Sequence, residues 1–317
     1  MIIHNSLDNF ISPTSRAVTL GTFDGVHLGH QKILKRLKEV AKKIQGESVV
    51  ITFWPHPRLL LDPNNNSVQL LNTFDEKVAL LRQQEIDHLV VIPFTKEFSQ
   101  LTSQDFISKI LIDKIKTTKL VIGYDHRFGK DRGGSIEELK NNHLKYGFEV
   151  EEISAQDIDN VTISSTIIRK SLLNGDILTA SRFLGRPYSI EGKIVFGNKI
   201  GRELGFPTAN IEVESANKLI PSNGIYAVTV AFDSQILKGM LYIGRRPTIE
   251  SGERVIEVNL FDFDKVIYGG TLKIYFHSFL RKDKKFEDLV ALKEQLFLDK
   301  QKADDILKDI LPATKEI

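Results

Sequence analysis

The sequence predicts two domains: an α/β doubly wound parallel sheet over residues 1–184, and a small antiparallel β-barrel with a C-terminal helix over residues 185–317. Three observations support this prediction. The first half alternates apolar runs with helical patterns, whereas the second half has short alternating strands separated by turns. The stretch Gly185-Arg186-Pro187 lies where the pattern changes. A chain of 317 residues is long enough for two domains.

Short apolar runs in the first half predict strands that are buried on both faces. The segments between them repeat apolar residues at helical spacing. We therefore predict a parallel sheet in which the carboxyl ends of the strands share one edge, where such folds bind ligands. The strands are predicted at residues 17–20, 48–53, 89–92, 120–122 and 148–150. The helices are predicted at residues 31–44, 103–115, 135–146 and 176–184, after Thr73, and from the hydroxyl residues 164–166 to residue 172 or 173.

Beyond Gly185, apolar and polar residues alternate along short segments separated by turns. Several short antiparallel strands within roughly 100 residues are typical of a small closed barrel. The strands are predicted at residues 189–196, 224–230, 255–260 and 271–276. Residues 286–297 carry Leu289, Leu292, Leu296 and Phe297 at helical spacing, which predicts a helix that packs on the barrel.

The composition limits the classes of partner. The chain has 43 basic and 41 acidic residues, and this balance gives no general affinity for nucleic acid or an anionic membrane. It has no cysteine, which excludes disulfides and thiol catalysis and fits a cytoplasmic location. No apolar run approaches the ~18 residues of a membrane span, and the N-terminus lacks the pattern of a signal peptide. We therefore expect small-molecule substrates, and the composition specifies no oligomeric state.

The glycine-rich stretch Gly21–His30 lies between the first predicted strand and the first predicted helix. A helix N-terminus at such a turn presents free N–H groups that suit a phosphate. His27 and His30 are three residues apart, so they point the same way if the helix begins between them. Two imidazoles that face an anion suggest nucleotide chemistry. A helix cap and half of a zinc site are the alternatives, although the sequence offers no cysteine and no nearby third ligand for zinc.

Three further stretches are candidates for ligand contact. Trp54–Arg58 follows the second predicted strand, and its two prolines stiffen a loop that either contacts substrate or covers the core. Gly123–Lys130 follows the fourth predicted strand, at the same edge. Ser164–Arg169 offers hydroxyl groups that are natural helix N-caps. With the planar guanidinium of Arg169, those hydroxyl groups would also suit a triphosphate.

The second half contains a glycine-spaced stretch, Gly197–Asn210, between two predicted strands. Glycine-rich segments there are usually only turns, and no GxxxxGK[ST] phosphate loop occurs in the chain. Thr208 and Asn210 are two hard oxygen donors that face one way on an extended segment. Such a pair suits Mg²⁺ that carries a bound polyphosphate.

Together these motifs resemble the bifunctional riboflavin kinase/FAD synthetase family of bacteria, over essentially the whole chain. The first half resembles the FMN adenylyltransferase module, a member of the HxGH nucleotidyltransferase superfamily, and the second half resembles the riboflavin kinase module. The chain departs from the usual residues at Thr22, Trp54, His126, Tyr242 and Asn259, the last of which occupies a histidine position. The similar motifs are GNFDGVHxGH at Gly21–His30, FxPHP at Phe53–Pro57, GxDFxFG at Gly123–Gly129, ISSTxxR at Ile163–Arg169, GRxLGFPTAN at Gly201–Asn210, PxxGVYAV at Pro221–Val228, IGxxPT at Ile243–Thr248 and ExHLxDF at Glu257–Phe263.

The resemblance implies that ATP phosphorylates riboflavin to FMN, and that a second ATP adenylylates FMN to FAD with release of pyrophosphate. His27 and His30 would stabilise phosphoryl charge, and Glu257 would accept the proton of the riboflavin hydroxyl. Thr208 and Asn210 would hold Mg²⁺. The implied ATP-binding residues are Gly21, Phe23, Asp24, Gly29, Ser164, Ser165, Thr166, Arg169, Gly197, Gly201, Arg202, Gly205 and Pro207. The implied flavin-binding residues are Pro55, His56, Pro57, Arg58, Asp125, Phe128 and Arg281.

Two alternatives stay open at this point. The departures at Trp54 and His126 favour a riboflavin kinase whose first half has become a scaffold. The other alternative is a flavin-binding regulatory protein with little turnover. The presence of His27, His30 and Glu257 argues against it, because a binding protein does not need groups that carry out chemistry.

Overall fold

The computed structural model describes residues 1–10, 14–61, 68–124, 126–154, 163–196, 201, 204–245, 254–263, 265, 267 and 269–310. The predicted site residues Asp125, Gly197 and Arg202 lie outside these ranges. The chain divides into two compact units, Met1–Ser165 and Thr166–Ile317. This division falls earlier in the chain than the boundary at Gly185 that we predict from the change of pattern, and places the last two predicted helices of the first half in the second unit.

The first unit contains a six-stranded sheet in the described part of the chain, in the order β1-β4-β3-β2-β5-β6, and all its strand pairs are parallel. The predicted strands are confirmed with small shifts at their ends. The strand β1 was not predicted, since three residues at the N-terminus carry too short a pattern. The strands are β1 (Ile2–His4), β2 (Arg16–Leu20), β3 (Glu47–Trp54), β4 (His88–Pro93), β5 (Lys119–Gly123) and β6 (Glu149–Ile153).

The sheet is covered on both faces, which confirms the doubly wound arrangement. One apolar cluster contains Val18, Val49 and Val90, and the other contains Ala17 and Val50. Consecutive residues of a strand therefore pack into different clusters, one on each face of the sheet. This alternation explains why the strands are continuously apolar, since both of their faces are buried.

Helices and short helical turns connect the strands of the first unit. The helix predicted over 103–115 begins as an α-helical turn and continues as a π-helix over Phe106–Lys114, and the helix predicted over 135–146 is interrupted at Asn142. The helix after Thr73 begins with a capping box, in which Thr73 and Glu76 bond to each other's backbone N–H. The helices are α1 (Leu28–Lys43), α2 (Pro57–Leu61), α3 (Phe74–Gln83), α4 (Lys96–Ser99), α5 (Ser103–Asp105), α6 (Ile136–Asn141) and α7 (His143–Tyr146). Two further helices, α8 (Ser165–Leu173) and α9 (Ile177–Leu184), belong to the second unit except for Ser165.

The second unit contains a closed barrel with the strand order β10-β11-β8-β7-β12-β9, and its strand pairs are antiparallel. The predicted barrel is therefore confirmed. Strand β10 was not predicted, and β8 was predicted only as an extended segment. The strands are β7 (Tyr188–Val195), β8 (Thr208–Glu212), β9 (Gly224–Phe232), β10 (Gln235–Arg245), β11 (Arg254–Leu260) and β12 (Thr271–Arg281).

A long helix, α10 (Leu289–Leu307), packs on the barrel as predicted, although it begins later and ends later than the expected range. Leu292 and Leu296 face the barrel core, whereas Leu289 is exposed. The guanidinium of Arg281 at the end of β12 donates hydrogen bonds to both carboxylate oxygens of Asp299 on α10, and Asp299 is buried. In the described part of the chain, no helix is long and apolar enough to cross a lipid bilayer.

We predict that Asp299→Ala destabilises the second unit by about 3 kcal/mol, because the mostly buried Arg281 guanidinium loses its carboxylate partner. Calorimetric unfolding of the full chain measures the change. The control is Asp304→Ala on the same helix, since Asp304 forms an exposed pair with Lys238 worth less than about 1 kcal/mol. Equal effects of the two changes would contradict a structural role for the buried pair.

Candidate active sites

The turn between β2 and α1 brings His27 and His30 together. Helix α1 begins at Leu28 with His27 as its N-cap, and the Nδ1 atom of His27 accepts a hydrogen bond from the His30 backbone N–H at 3.4 Å. The two imidazole rings stack with centroids 3.7 Å apart and an angle of 17° between their planes. The expectation that the helix begins between the two histidines is therefore confirmed, and both rings belong to the first turn of a helix N-terminus.

The turn that carries these histidines has an uncommon backbone conformation. Phe23 and Val26 have φ angles of 47° and 37°, and Gly25 has a φ angle of 88°. Positive φ is costly for a β-branched residue such as Val26, so other contacts must hold the turn. The Asp24 carboxylate does so by accepting hydrogen bonds from the backbone N–H groups of Leu71 and Asn72, at 3.0 and 3.3 Å. The Asp24 side chain thus supports the turn.

The second motif reaches the same turn within the first unit. The Ser165 hydroxyl donates a hydrogen bond of 2.8 Å to the backbone carbonyl of Asp24. Gly21 donates its N–H to the carbonyl of Ile51, which ties the start of the turn to β3, and Gly29 is buried in the first turn of α1. Ser164 immediately precedes α8, and the α8 residues Thr166 and Arg169 belong to the second unit. The roles of Ser164, Thr166 and Arg169 toward ATP stay predictions.

The stretch Trp54–Arg58 begins at the last residue of β3. Because β3 is the neighbour of β2, this stretch and the turn after β2 lie at the same carboxyl edge of the sheet, as expected. His56 is buried, and its Nδ1 atom accepts a hydrogen bond from the Arg58 N–H at 3.2 Å, at the start of α2. Pro55 and Arg58 are exposed and Pro57 begins α2, so part of this stretch is accessible to a ligand.

Phe128 belongs to an apolar core cluster of the first unit. It is buried, with its ring centroid 5.7 Å from that of Phe106. His126, two residues earlier, is roughly parallel to Phe128 with centroids 6.3 Å apart. The contact of Phe128 with flavin stays a prediction, and the core position gives this residue a packing role that the motif did not indicate.

The barrel brings the other three candidate residues together. Strands β8 and β11 are neighbours, and their register pairs Asn210 with Glu257 and Thr208 with Asn259. The Thr208 hydroxyl donates a hydrogen bond to the Glu257 carboxylate at 3.3 Å. Thr208 is exposed, and Asn210 and Glu257 are half-buried, so this group of oxygen atoms is open to a ligand.

A short loop places Thr208 at the start of β8. The carbonyl of Gly201 accepts a hydrogen bond from the Phe206 N–H at 2.7 Å, and a side chain at Gly201 would clash with the Phe206 carbonyl. Phe206 is buried against the α10 residue Phe297, with ring centroids 5.0 Å apart. Gly205 and Pro207 on this loop are exposed. The glycine-spaced stretch is therefore anchored in the barrel core on its C-terminal side.

The guanidinium of Arg281, predicted to bind flavin, is engaged by Asp299 as described above, and its role toward flavin stays a prediction. Neither unit offers the ligands of a zinc site in its described residues, where no group of three histidine or carboxylate side chains could hold a metal ion. The described oxygen atoms of Thr208 and Asn210 fit a hard cation that receives its other ligands from phosphate.

Comparison with known proteins identifies a family for each half of the chain. A family model for FAD synthetase matches residues 11–167, and one for riboflavin kinase matches residues 184–307. The bifunctional riboflavin kinase/FMN adenylyltransferase of Buchnera aphidicola subsp. Schizaphis graminum (strain Sg) is 41% identical over 291 residues, which cover 90% of this chain and 92% of that protein. The chain belongs to this family.

Other members and one solved structure extend the similarity. The riboflavin kinase/FMN adenylyltransferase of Escherichia coli (strain K12) is 33% identical over 297 residues, or 93% of this chain and 94% of that protein. A crystal structure of a macrolide-efflux protein from Streptococcus pneumoniae has a TM-score of 0.87 at 31% identity, and covers 96% of this chain and 98% of that chain.

Three of the residues that depart from the family's usual motifs contact specific partners in this chain. The Asn259 amide donates a hydrogen bond of 2.7 Å to the carbonyl of Pro207, directly before Thr208. The Tyr242 hydroxyl donates to Asp283 at 2.9 Å. Trp54 packs against Phe74 of α3, with ring centroids 5.2 Å apart.

Sequence reasoning missed one charged residue beside the first site. Lys77 lies on the inward stripe of α3, on the same face as Phe74 and Leu81, and only 1% of it is exposed. Its Nζ atom lies 5.1 Å from the centroid of the Trp54 ring. Burial lowers the pKa of Lys77 to about 8, and the nearby Asp24 carboxylate partly opposes this shift. A lysine at an apolar position of a helical stripe is the sequence signal that would have indicated it.

We predict that Lys77→Met raises the free energy of unfolding of the first unit at pH 7 by about 1–3 kcal/mol, because a buried ammonium is costly. The unfolded state binds more protons than the native state between pH 8 and the ordinary lysine pKa of 10.5, so wild-type stability rises with pH in that range. Urea unfolding followed by the fluorescence of Trp54, the single tryptophan, measures both effects. The control is Arg82→Met, an exposed cation of α3. A less stable Lys77→Met variant would contradict the prediction.

Proposed function

We propose that the two units carry out successive steps of flavin nucleotide synthesis at separate sites. In the second unit, the 5′-hydroxyl of riboflavin attacks the γ-phosphate of ATP, giving FMN and ADP. In the first unit, the phosphate of FMN attacks the α-phosphate of a second ATP, giving FAD and pyrophosphate. The observation that carries this proposal is the presence of both groups of side chains, His27 with His30 and Thr208 with Glu257, in a chain that belongs to the bifunctional family.

For the kinase step, Glu257 accepts the proton of the riboflavin hydroxyl as the hydroxyl oxygen attacks. Its carboxylate is half-buried on β11 and accepts a hydrogen bond from the Thr208 hydroxyl on the adjacent strand β8. Thr208 and Asn210 hold Mg²⁺, which would neutralise charge on the ATP phosphates. Gly201, Gly205 and Pro207 belong to the anchored loop that would cover these phosphates.

For adenylyl transfer, positioning and charge stabilisation are sufficient, because the FMN phosphate is itself the nucleophile. His27 and His30 stack at the N-terminus of α1, where free N–H groups and the helix dipole favour an anion. These groups would stabilise the charge that develops on the α-phosphoryl group. Ser165 bonds to the same turn, and the accessible part of Trp54–Arg58 lies at the same edge for the flavin.

We predict opposite losses for two variants. His27→Ala reduces FAD formation from FMN by about a hundredfold or more, because one stabiliser of the transition-state charge is lost, and leaves FMN formation from riboflavin intact. Glu257→Gln abolishes most FMN formation and leaves FAD formation from FMN intact. Chromatographic product assays that start from riboflavin and, separately, from FMN measure both activities.

The matched controls are His143→Ala and Glu191→Gln, which change exposed side chains of the same types. Both are expected to keep both activities. Loss of both activities in either folded site variant would exclude two separate sites. No FAD from FMN in the wild type would favour a kinase with a scaffold domain, and flavin binding without any product would favour a regulatory protein.

We further predict that Thr208→Ala lowers riboflavin phosphorylation and raises the Mg²⁺ concentration for half-maximal rate, because one oxygen ligand of the cation is lost. Titration of initial rates with MgCl₂ at saturating ATP measures this change. Thr271→Ala, on the exposed start of β12, is the control. An unchanged Mg²⁺ requirement in Thr208→Ala would remove Thr208 from the metal site.

A further inference from the structure

The Lys77 ammonium has no evident structural purpose. The side chain is 1% exposed, and its Nζ atom has no hydrogen-bond partner among the residues that the structure describes. Phe74, Val78 and Leu81 on the same face of α3 belong to the apolar core cluster of this side of the sheet. An apolar side chain would fit that environment at a lower free-energy cost than a charge. Stability therefore does not explain a lysine at this position.

The surroundings of Lys77 connect the two stretches that border the first site. The Trp54 ring lies 5.1 Å from Nζ, a distance at which a cation is attracted to the face of an indole. The Asp24 carboxylate is the charged group that acts on Lys77 from the neighbouring turn. Trp54 ends β3, and Asp24 lies in the turn after β2, so both belong to adjacent strand ends at the carboxyl edge.

We propose that Lys77 is a positioning residue for adenylyl transfer: its positive charge holds the Trp54 ring, and thus the flavin-contacting stretch Trp54–Arg58, in register with the nucleotide turn around Asp24. Lys77 contacts no substrate in this role and acts through these two residues. The inference rests on the proposed function of this edge. It also explains the lysine, because both the attraction to the indole and the attraction to the carboxylate require the charged form.

A spectroscopic titration tests the contact without using activity. Trp54 is the only tryptophan of the chain, so intrinsic fluorescence reports its ring. Burial lowers the pKa of Lys77 to about 8, and loss of the ammonium proton above that pH removes the cation from the ring. We expect a fluorescence change with a midpoint near pH 8 in the wild type and in Arg82→Met, and no such change in Lys77→Met.

Kinetics test the consequence. We expect Lys77→Met to lower kcat/KM for FMN in FAD formation by about tenfold to a hundredfold at pH 7, mainly through KM, because the flavin-contacting stretch is no longer held in place. Riboflavin phosphorylation by the same protein sample stays unchanged, as do both activities of Arg82→Met. In the wild type, kcat/KM for FMN falls as pH rises through about 8, and this fall is absent in Lys77→Met.

The outcomes separate the inference from the function on which it rests. A wild-type fluorescence that does not titrate near pH 8, or a titration that persists in Lys77→Met, overturns the contact. Unchanged FAD kinetics in a folded Lys77→Met variant, with FAD formation lost in His27→Ala, overturns only the positioning role. FAD formation that survives His27→Ala contradicts the proposed site itself. If Lys77→Met does not fold, the wild-type fluorescence and rate profiles against pH still decide the question.

Discussion

The pair of hydrogen bonds from Leu71 and Asn72 to the Asp24 carboxylate is the constraint on which the first site depends. The turn after β2 holds Phe23 and Val26 at positive φ, a conformation that a free chain would rarely adopt. With the turn held by this carboxylate, α1 begins at Leu28, and the two imidazoles stack on each other in its first turn. Backbone strain at this point thus shapes the turn at which we propose that the ATP phosphates bind.

The side chains of the second site are positioned by strand register and not by a strained turn. They are aligned by the register of the antiparallel strands β8 and β11, which places Asn210 opposite Glu257 and Thr208 opposite Asn259. The barrel closes without free edges between its strands, so this register is fixed by the whole ring of strands. The buried Phe206 anchors the loop that precedes β8, and this loop places Thr208 at the first position of that strand.

Much of this could be predicted from the sequence, because buried parallel strands are continuously apolar and helix starts carry caps such as Thr73 and Ser135. His27 and His30 could be predicted as a pair because they follow a strand end, whereas Glu257 lies within β11 and its role was implied by the resemblance alone. Strand β1 could not, because its pairing with β4 depends on contacts far along the chain. The π-helix over Phe106–Lys114 also escapes a periodicity argument, which assumes 3.6 residues per turn.

The hydrogen bond from the Asn259 amide to the Pro207 carbonyl aligns the start of β8, at a position where similar motifs carry histidine. An amide neither gains nor loses a proton between pH 5 and 8, whereas an imidazole changes its charge in that range. The hydrogen bond between Asn259 and Pro207 therefore does not weaken through a change of side-chain charge in this pH range. In this chain, the start of β8 that carries the proposed Mg²⁺ ligand Thr208 is thus aligned by a side chain whose charge does not change with pH.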